Sequence, residues 1–220
     1  CHRADLQSAL LDACREAPGI EISLGAEITN HRVENGVVTA TIRHNKSEEP
    51  VDAAYLIACD GVWSAERSKA GFDKARFSGH IAWRTTLAAS TLPASFTSAM
   101  GTKNAVSAWL GKQAHFIAYP VKGGSFFNFV AITTGENPGE VWSRTGEPAR
   151  LRSIYADWSA PVRDVLATAD EWTYWPLFEM ADAQFVGPER TIFLGDASHA
   201  VTPFAAQGAA MAIEDAAALA

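Results

Sequence analysis

Two short strings hold most of the residues that could do chemistry together. Residues 195–208 read G-D-A-S-H-A-V-T-P-F-A-A-Q-G, and residues 59–67 read C-D-G-V-W-S-A-E-R. Ahead of the first, Thr191-Ile192-Phe193-Leu194 is a β-branched, apolar run suited to a buried strand, and Gly195 lets the chain turn at its carboxyl end. Asp196 then stands at the strand's mouth. Ligands bind there in open α/β sheets, and a carboxylate so placed can accept hydrogen bonds from sugar-like hydroxyls. Pro203 rules out one uninterrupted helix from Ala197 onward. Gly208 allows close backbone approach where a second helix begins, with Ala209, Ile213, Ala216 and Ala220 recurring at helical spacing. The free amides and positive dipole end of that helix, at Gly208 and Ala209, point into the same mouth and favour an electron-rich ligand.

The second string follows a continuously apolar run, Ala53–Cys59, which reads as a buried strand. Asp60-Gly61 makes the turn, and Ser64 is an N-cap for a short helix that carries Arg67. For acid–base work the chain offers His2, His31, His44, His80, His115 and His199, all chemically eligible near neutral pH. His115 and Tyr119 are four apart on one expected strand, so they share a face. His80, just before Ala82-Trp83-Arg84, is the second choice, and His199 lies inside the first string, where it helps to hold the turn. Arg3 sits near a helix start, where the dipole disfavours a cation; a phosphate partner would explain it.

The elements that must position these groups follow in order. A helix with Leu6, Leu10, Ala13 and Cys14 at helical spacing ends at Pro18-Gly19. Glu27–Glu34 and Val37–His44 flank Asn35-Gly36, a strong hairpin signal. From Phe77 to Leu87 apolar residues alternate, and strands are expected at Ala105–Leu110, Gln113–Val121 and Phe126–Thr134, joined at Gly111-Lys112 and Gly123-Gly124. That is an antiparallel meander, with Phe116, Tyr119, Phe126, Phe127 and Phe129 mostly in its core. Residues 135–148 are expected as a loop. One helix carries Leu151, Ile154, Tyr155 and Trp158, and a second begins near Pro161. Trp172–Met180 crosses back toward Thr191.

The composition is that of an ordinary soluble globular protein, with 48% hydrophobic and 20% charged residues among 220. A formal charge of −7 argues against a nucleic-acid surface. No stretch reads as a membrane span or a secretory leader. The three cysteines, Cys1, Cys14 and Cys59, cannot all pair and lack metal-ligand spacing, so no metal is expected and a reducing cytoplasm is the simplest location. The chain starts without Met and contains no G-x-G-x-x-G, and it reads as a segment of a longer protein.

G-D-A-x-H-x-x-x-P-x-x-x-Q-G followed by I-E-D-A resembles the second flavin-binding motif of the FAD-dependent aromatic hydroxylases. C-D-G-x-x-S-x-x-R resembles the Asp-Gly fingerprint of the same family, and H-R-x-D-L its arginine segment. The resemblance implies an α/β (α+β) fold: an incomplete Rossmann-like FAD-binding domain with an inserted antiparallel-sheet substrate domain, p-hydroxybenzoate-hydroxylase-like. The implied division is 1–76 and 179–220 for the cofactor and 77–178 for the substrate. It further implies that Arg3 reaches the FAD pyrophosphate region and that Asp60 and Gly61 serve FAD and the nicotinamide coenzyme. Gly195 and Asp196 would serve the ribityl chain, and Pro203, Gly208 and Ala209 the flavin ring. H-F-I-A-Y-P, taken with Gln207, resembles the 3-hydroxybenzoate 6-hydroxylase type, which assigns His115, Tyr119 and Gln207 to the substrate. The implied activity is hydroxylation of a small aromatic substrate with dioxygen and NADH or NADPH. Salicylate-hydroxylase-like, ubiquinone-pathway and epoxidase relatives share these motifs, a non-catalytic or truncated flavin binder stays open, and so does a homodimer.

Overall fold

The computed structural model describes residues 3–100 and 105–220, the side chains of Arg3 and Ala205 excepted. Strands and helices mix in two compact units. One comprises Arg15–Ser78 and Phe178–Ala220; the other comprises Gly79–Leu177 together with the opening helix α1 (Arg3–Glu16) up to Cys14.

In the first unit, β1 (Ala26–Glu34) and β2 (Val37–His44) form the expected hairpin. Asn35 and Gly36 both take positive φ, 52° and 79°, as a two-residue turn matched to strand twist requires. A third strand, β3 (Ser47–Ala53), adds antiparallel to β2. Its sequence, SEEPVDA, is exposed throughout, and Pro50 is tolerated because this is an edge strand. The apolar run Ala53–Cys59 is therefore not one buried strand. Ala53 ends β3, and only Leu56–Ala58 (β4) continues, pairing parallel with β11 (Thr191–Phe193). The chain changes sheet between them because Arg190 fastens the corner: its Nε donates to Ala54 O at 2.6 Å and its guanidinium lies 4.3 Å from the Tyr55 ring centroid. Ile57 is accordingly 47% exposed while Leu56 and Ala58 are buried. His31 of β1 is enclosed by the carboxylates of Glu66 (3.2 Å) and Glu189 (3.4 Å).

The second unit is built on an antiparallel sheet. Its strands are β5 (Arg76–Ala88), β6 (Ser107–Gly111), β7 (Ala114–Val121), β8 (Phe126–Thr134), β9 (Arg144–Gly146) and β10 (Trp172–Glu179), in spatial order β6-β7-β8-β5-β10-β9. β9 lies inside the stretch expected as a loop. It escapes notice because it is only three residues long, and Gly146 is needed where a Cβ would fall 2.2 Å from the Trp83 ring. The sequence also gave no sign of the helix α3 (Ala94–Ala99), whose Phe96 is fully buried against Trp109, Phe127 and Phe129.

One face of the sheet is closed by α3, α4 (Pro148–Ile154) and α5 (Ala160–Thr168), with Phe116, Phe129, Leu151, Val162, Val165 and Trp172 wholly buried. Tyr155, just past α4, inserts its ring beside Phe116. Its hydroxyl donates between the main-chain carbonyls of His115 (2.8 Å) and Ile132 (3.0 Å), which face each other across β7 and β8. Burial pushes the phenol above its ordinary range, so it stays a donor. Tyr155→Phe leaves those carbonyls without it and is expected to cost about 1–3 kcal/mol, read as a lower midpoint in chemical denaturation. An unchanged midpoint would mean that the hydroxyl does not brace these strands.

Candidate functional site

The parallel ladder between β4 and β11 ends where Leu194 N–H donates to Ala58 O at 3.1 Å. Gly195 follows at φ 59°, ψ −140°, a conformation that costs side-chain-bearing residues heavily. It launches the short helix α6 (Asp196–His199), in which Ala197, Ser198 and His199 are buried. Asp196 alone points out. Its carboxylate is exposed and takes no hydrogen bond or ion pair from the described residues. Pro203 opens a single 3₁₀ turn to Ala205, and Ala206 takes a left-handed φ of 53°. α7 (Gly208–Leu219) then begins behind Gln207, whose exposed side chain makes no capping hydrogen bond. The first-turn amides at Gly208 and Ala209 thus keep their donors and the positive end of the helix dipole.

Asp215 of α7 joins these pieces. Its Oδ2 accepts the Gly195 N–H at 2.8 Å and lies 2.6 Å from His199 Nε2. The His199 and Asp215 side chains are only 8% and 11% exposed. Burial alone would push the Asp215 carboxyl up, but the Gly195 amide and His199 outweigh it and hold it below its ordinary value. Sequence reading quoted Asp215 within I-E-D-A but gave it no role. The available signal was an acidic residue in the C-terminal half of an alanine-rich helix, where the dipole disfavours an anion unless something pairs with it.

The second string forms the turn after β4. Gly61 has φ +84°, and α2 (Ala65–Lys69) starts behind Ser64, whose Oγ accepts the Arg67 N–H at 2.9 Å. Asp60 is exposed and spends one oxygen on the Glu66 N–H at 3.2 Å. Arg67 turns inward and is 3% exposed. Its Nε donates to Asp73 O at 2.7 Å, Nη1 to Ser198 O at 3.1 Å and Ala197 O at 3.4 Å, and Nη2 to Asp182 O at 3.1 Å. Burial lowers its pKa while Asp73 and Asp182 raise it. The guanidinium therefore ties the Asp-Gly turn of the second string to the carbonyl end of α6 in the first.

In the other unit, His115 pairs with Ile132 and Ile132 with Ala82; Tyr119 pairs with Asn128 and Asn128 with Thr86. His115 and Tyr119 thus share the sheet face opposite Phe116. Tyr119 packs there with Ile117 and Leu177 on Ala82, Val130 and Ile132. His80, opposite Thr134, lies on the same face. A groove of about 500 Å³ on this sheet is lined by Arg84, Thr86, Asn128, Thr173 and Trp175, with the Arg84 guanidinium 5.1 Å from the Trp175 ring. Gln207 belongs to the first unit. Arg3 opens α1, and its side chain lies outside the described residues.

Arg67→Lys should unfold at clearly lower denaturant than the parent, because a single ammonium cannot reproduce a fork that serves four carbonyls. Each charged hydrogen bond lost costs about 1.5–3 kcal/mol. A midpoint equal to that of the parent protein would make the fork dispensable.

The family described as FAD binding domain matches residues 1–220. The chain is 30% identical over 223 residues to 3-hydroxybenzoate 6-hydroxylase 1 of Aquipseudomonas alcaligenes, covering 100% of this chain and 54% of that protein. It is 34% identical over 215 residues to 3-amino-4-hydroxybenzoate 2-monooxygenase PtmB3 of Streptomyces platensis, covering 97% of this chain and 52% of that one. The fold superposes on a salicylate hydroxylase substrate complex with a TM-score of 0.81 at 27% identity, over 98% of this chain and 55% of the other. The chain thus spans about half the length of the curated relatives it matches. With both flavin strings folded into turns at strand ends and the match running through every residue, the chain belongs to the FAD binding domain family.

Proposed function

We propose that this chain forms part of an FAD-dependent monooxygenase that hydroxylates a small aromatic acid, using NADH or NADPH and dioxygen. The observation that carries the reading is the exposed Asp196 carboxylate, set between buried Gly195 and Ala197 at the end of a parallel strand beside an uncapped helix start. Those features fit FAD: an unpaired acceptor for ribityl hydroxyls and donors for an electron-rich ring edge. The names of the relatives support an aromatic acid as substrate.

When bound, reduced flavin supplies the activation of dioxygen that inserts one oxygen atom into the ring. The chain's own residues bind and orient. Asp196 accepts from the ribityl chain, and the amides at Gly208 and Ala209 stabilise negative charge on the ring edge beside them. Asp60, Gly61 and Arg3 are assigned to the cofactor on their motifs, and Pro203 to the turn that aims α7. On the sheet face, His115 accepts the proton of the substrate hydroxyl, which makes the ring more electron-rich. Tyr119 walls the ring, and Ala82, Val130 and Ile132 keep that face dry; Gln207 is assigned to the substrate on its motif alone. The division into 1–76 and 179–220 for the cofactor and 77–178 for the substrate follows the same assignment.

Asp196→Ala should weaken FAD binding by about 1–3 kcal/mol, the range for removal of a charged hydrogen-bond partner, with an unchanged melting temperature of the apoprotein. Full flavin affinity with a collapsed melting temperature would make Asp196 structural. In the flavin-loaded protein, His115→Ala should retain FAD and slow ring hydroxylation by about 10²–10⁴-fold. Coenzyme oxidation should then run ahead of product and release hydrogen peroxide. Parent-like product per coenzyme in His115→Ala, with loss in His80→Ala, would move the base to β5.

A further inference from the structure

Gly195 is held from both ends of its peptide units. Its carbonyl accepts the N–H groups of Ser198 and His199, both at 2.9 Å, while its own N–H leaves the strand ladder for Asp215. Ladder bonding has stopped one residue earlier, at Leu194. The carboxylate therefore supplies what β4 no longer can, an acceptor for a buried backbone donor. On α7, Ala212 stands three residues before Asp215 and so on the same helix face. A Cβ on Gly195 would lie 3.3 Å from the Ala212 Cβ. The helix is thus pressed against the turn at one position and bonded to it at the next.

The contact to His199 is short and charge-assisted in character, 2.6 Å between heavy atoms. It is made by the same oxygen that holds Gly195, so α6, the Gly195 turn and α7 meet at one atom. The other ring nitrogen of His199 is buried with no partner among the described residues, and the ring packs against Phe185 at 5.6 Å. The His199 ring therefore has one polar tether among the described residues, and that tether is Asp215.

From this geometry we propose that Asp215 is a positioning residue for the flavin. It touches no cofactor atom in this scheme. It fixes the Asp196 carboxylate and the uncapped amides of α7 as one rigid pair, so that ribityl chain and ring are held in register. This deepens the flavin reading above and rests on it. Outer partners that orient binding groups typically carry about 10–100-fold in affinity at metal sites, and an effect of that order is expected here.

The test titrates FAD into the apoproteins of the parent and its variants and measures the reduction potential of the bound flavin at saturation. Asp215→Ala should bind FAD about 10–100-fold more weakly and shift the potential. Asp215→Asn, which retains an acceptor for the Gly195 amide, should recover most of the affinity. Met211→Ala, also on α7, should bind like the parent. Should Asp215→Ala not fold, His199→Phe carries the same test, because it keeps a ring beside Phe185 and removes the tether; weaker binding with a shifted potential supports the proposal. Parent-like affinity and potential in Asp215→Ala or His199→Phe overturns it. So does an equal loss in Asp215→Ala, Asp215→Asn and Met211→Ala, which would mean general loosening of α7. The parent reading is separable: unchanged affinity in Asp196→Ala removes the flavin site itself, whereas a weakened Asp196→Ala beside an unchanged Asp215→Ala removes this inference alone.

Discussion

The backbone of Gly195 is the constraint on which the first unit depends. Its φ of 59° ends the parallel ladder, starts α6 and leaves Asp196 facing outward while its neighbours are buried. Glycine adopts that conformation without steric cost, and its surroundings fix it from several directions. Asp215 holds the amide, α6 holds the carbonyl, and the Ala212 Cβ lies within 3.3 Å of where a side chain would begin. At the far end of α6, Arg67 binds the carbonyls of Ala197 and Ser198. The two strings that share the chemistry are more than a hundred residues apart in sequence, yet one buried guanidinium makes them a single object. A charge is tolerated at that depth because its donors find carbonyls.

The second unit solves a different problem by the period of a strand. On β7, Ala114, Phe116 and Ala118 are buried under the helices, while His115, Ile117 and Tyr119 alternate onto the opposite face. Tyr155 couples the two: anchored in the helix layer, it reaches the carbonyls of His115 and Ile132 and so braces the strand segment that presents His115. The helix-covered face supplies rigidity, and the other face supplies the side chains assigned to substrate. Trp83 adds to that rigidity through a buried hydrogen bond from Nε1 to Thr133 Oγ1 at 3.1 Å.

Much of this was legible in the residues. Asn35-Gly36 predicts its hairpin because only residues that accept positive φ close a two-residue turn, and the alternation from Phe77 to Leu87 predicts β5. Ser64 as an N-cap and Pro161 in the first turn of α5 are local signals with local outcomes. The failures share a cause, which is dependence on distant partners. SEEPVDA carries no apolar face, and it is a strand only because β2 offers an edge. Ala53–Cys59 looks like one buried strand, but Arg190, from the far end of the chain, pins its middle. β9 and α3 are too short to show a period. In the candidate site, Asp196 and Gly208 are visible from their motifs, whereas the roles of Arg67 and Asp215 exist only after the two strings have folded together.

The central claim is that this chain is part of a flavin monooxygenase, with the cofactor assigned to the first unit and an aromatic acid assigned to His115 and Tyr119 in the second. The most direct measurement follows the oxygen atom. The flavin-loaded protein would be given 3-hydroxybenzoate, reduced nicotinamide coenzyme and isotopically heavy dioxygen, and the product weighed by mass spectrometry. The account predicts a hydroxylated acid carrying one heavy oxygen atom drawn from dioxygen. Coenzyme oxidation with no labelled product from this or any related hydroxybenzoate would contradict it.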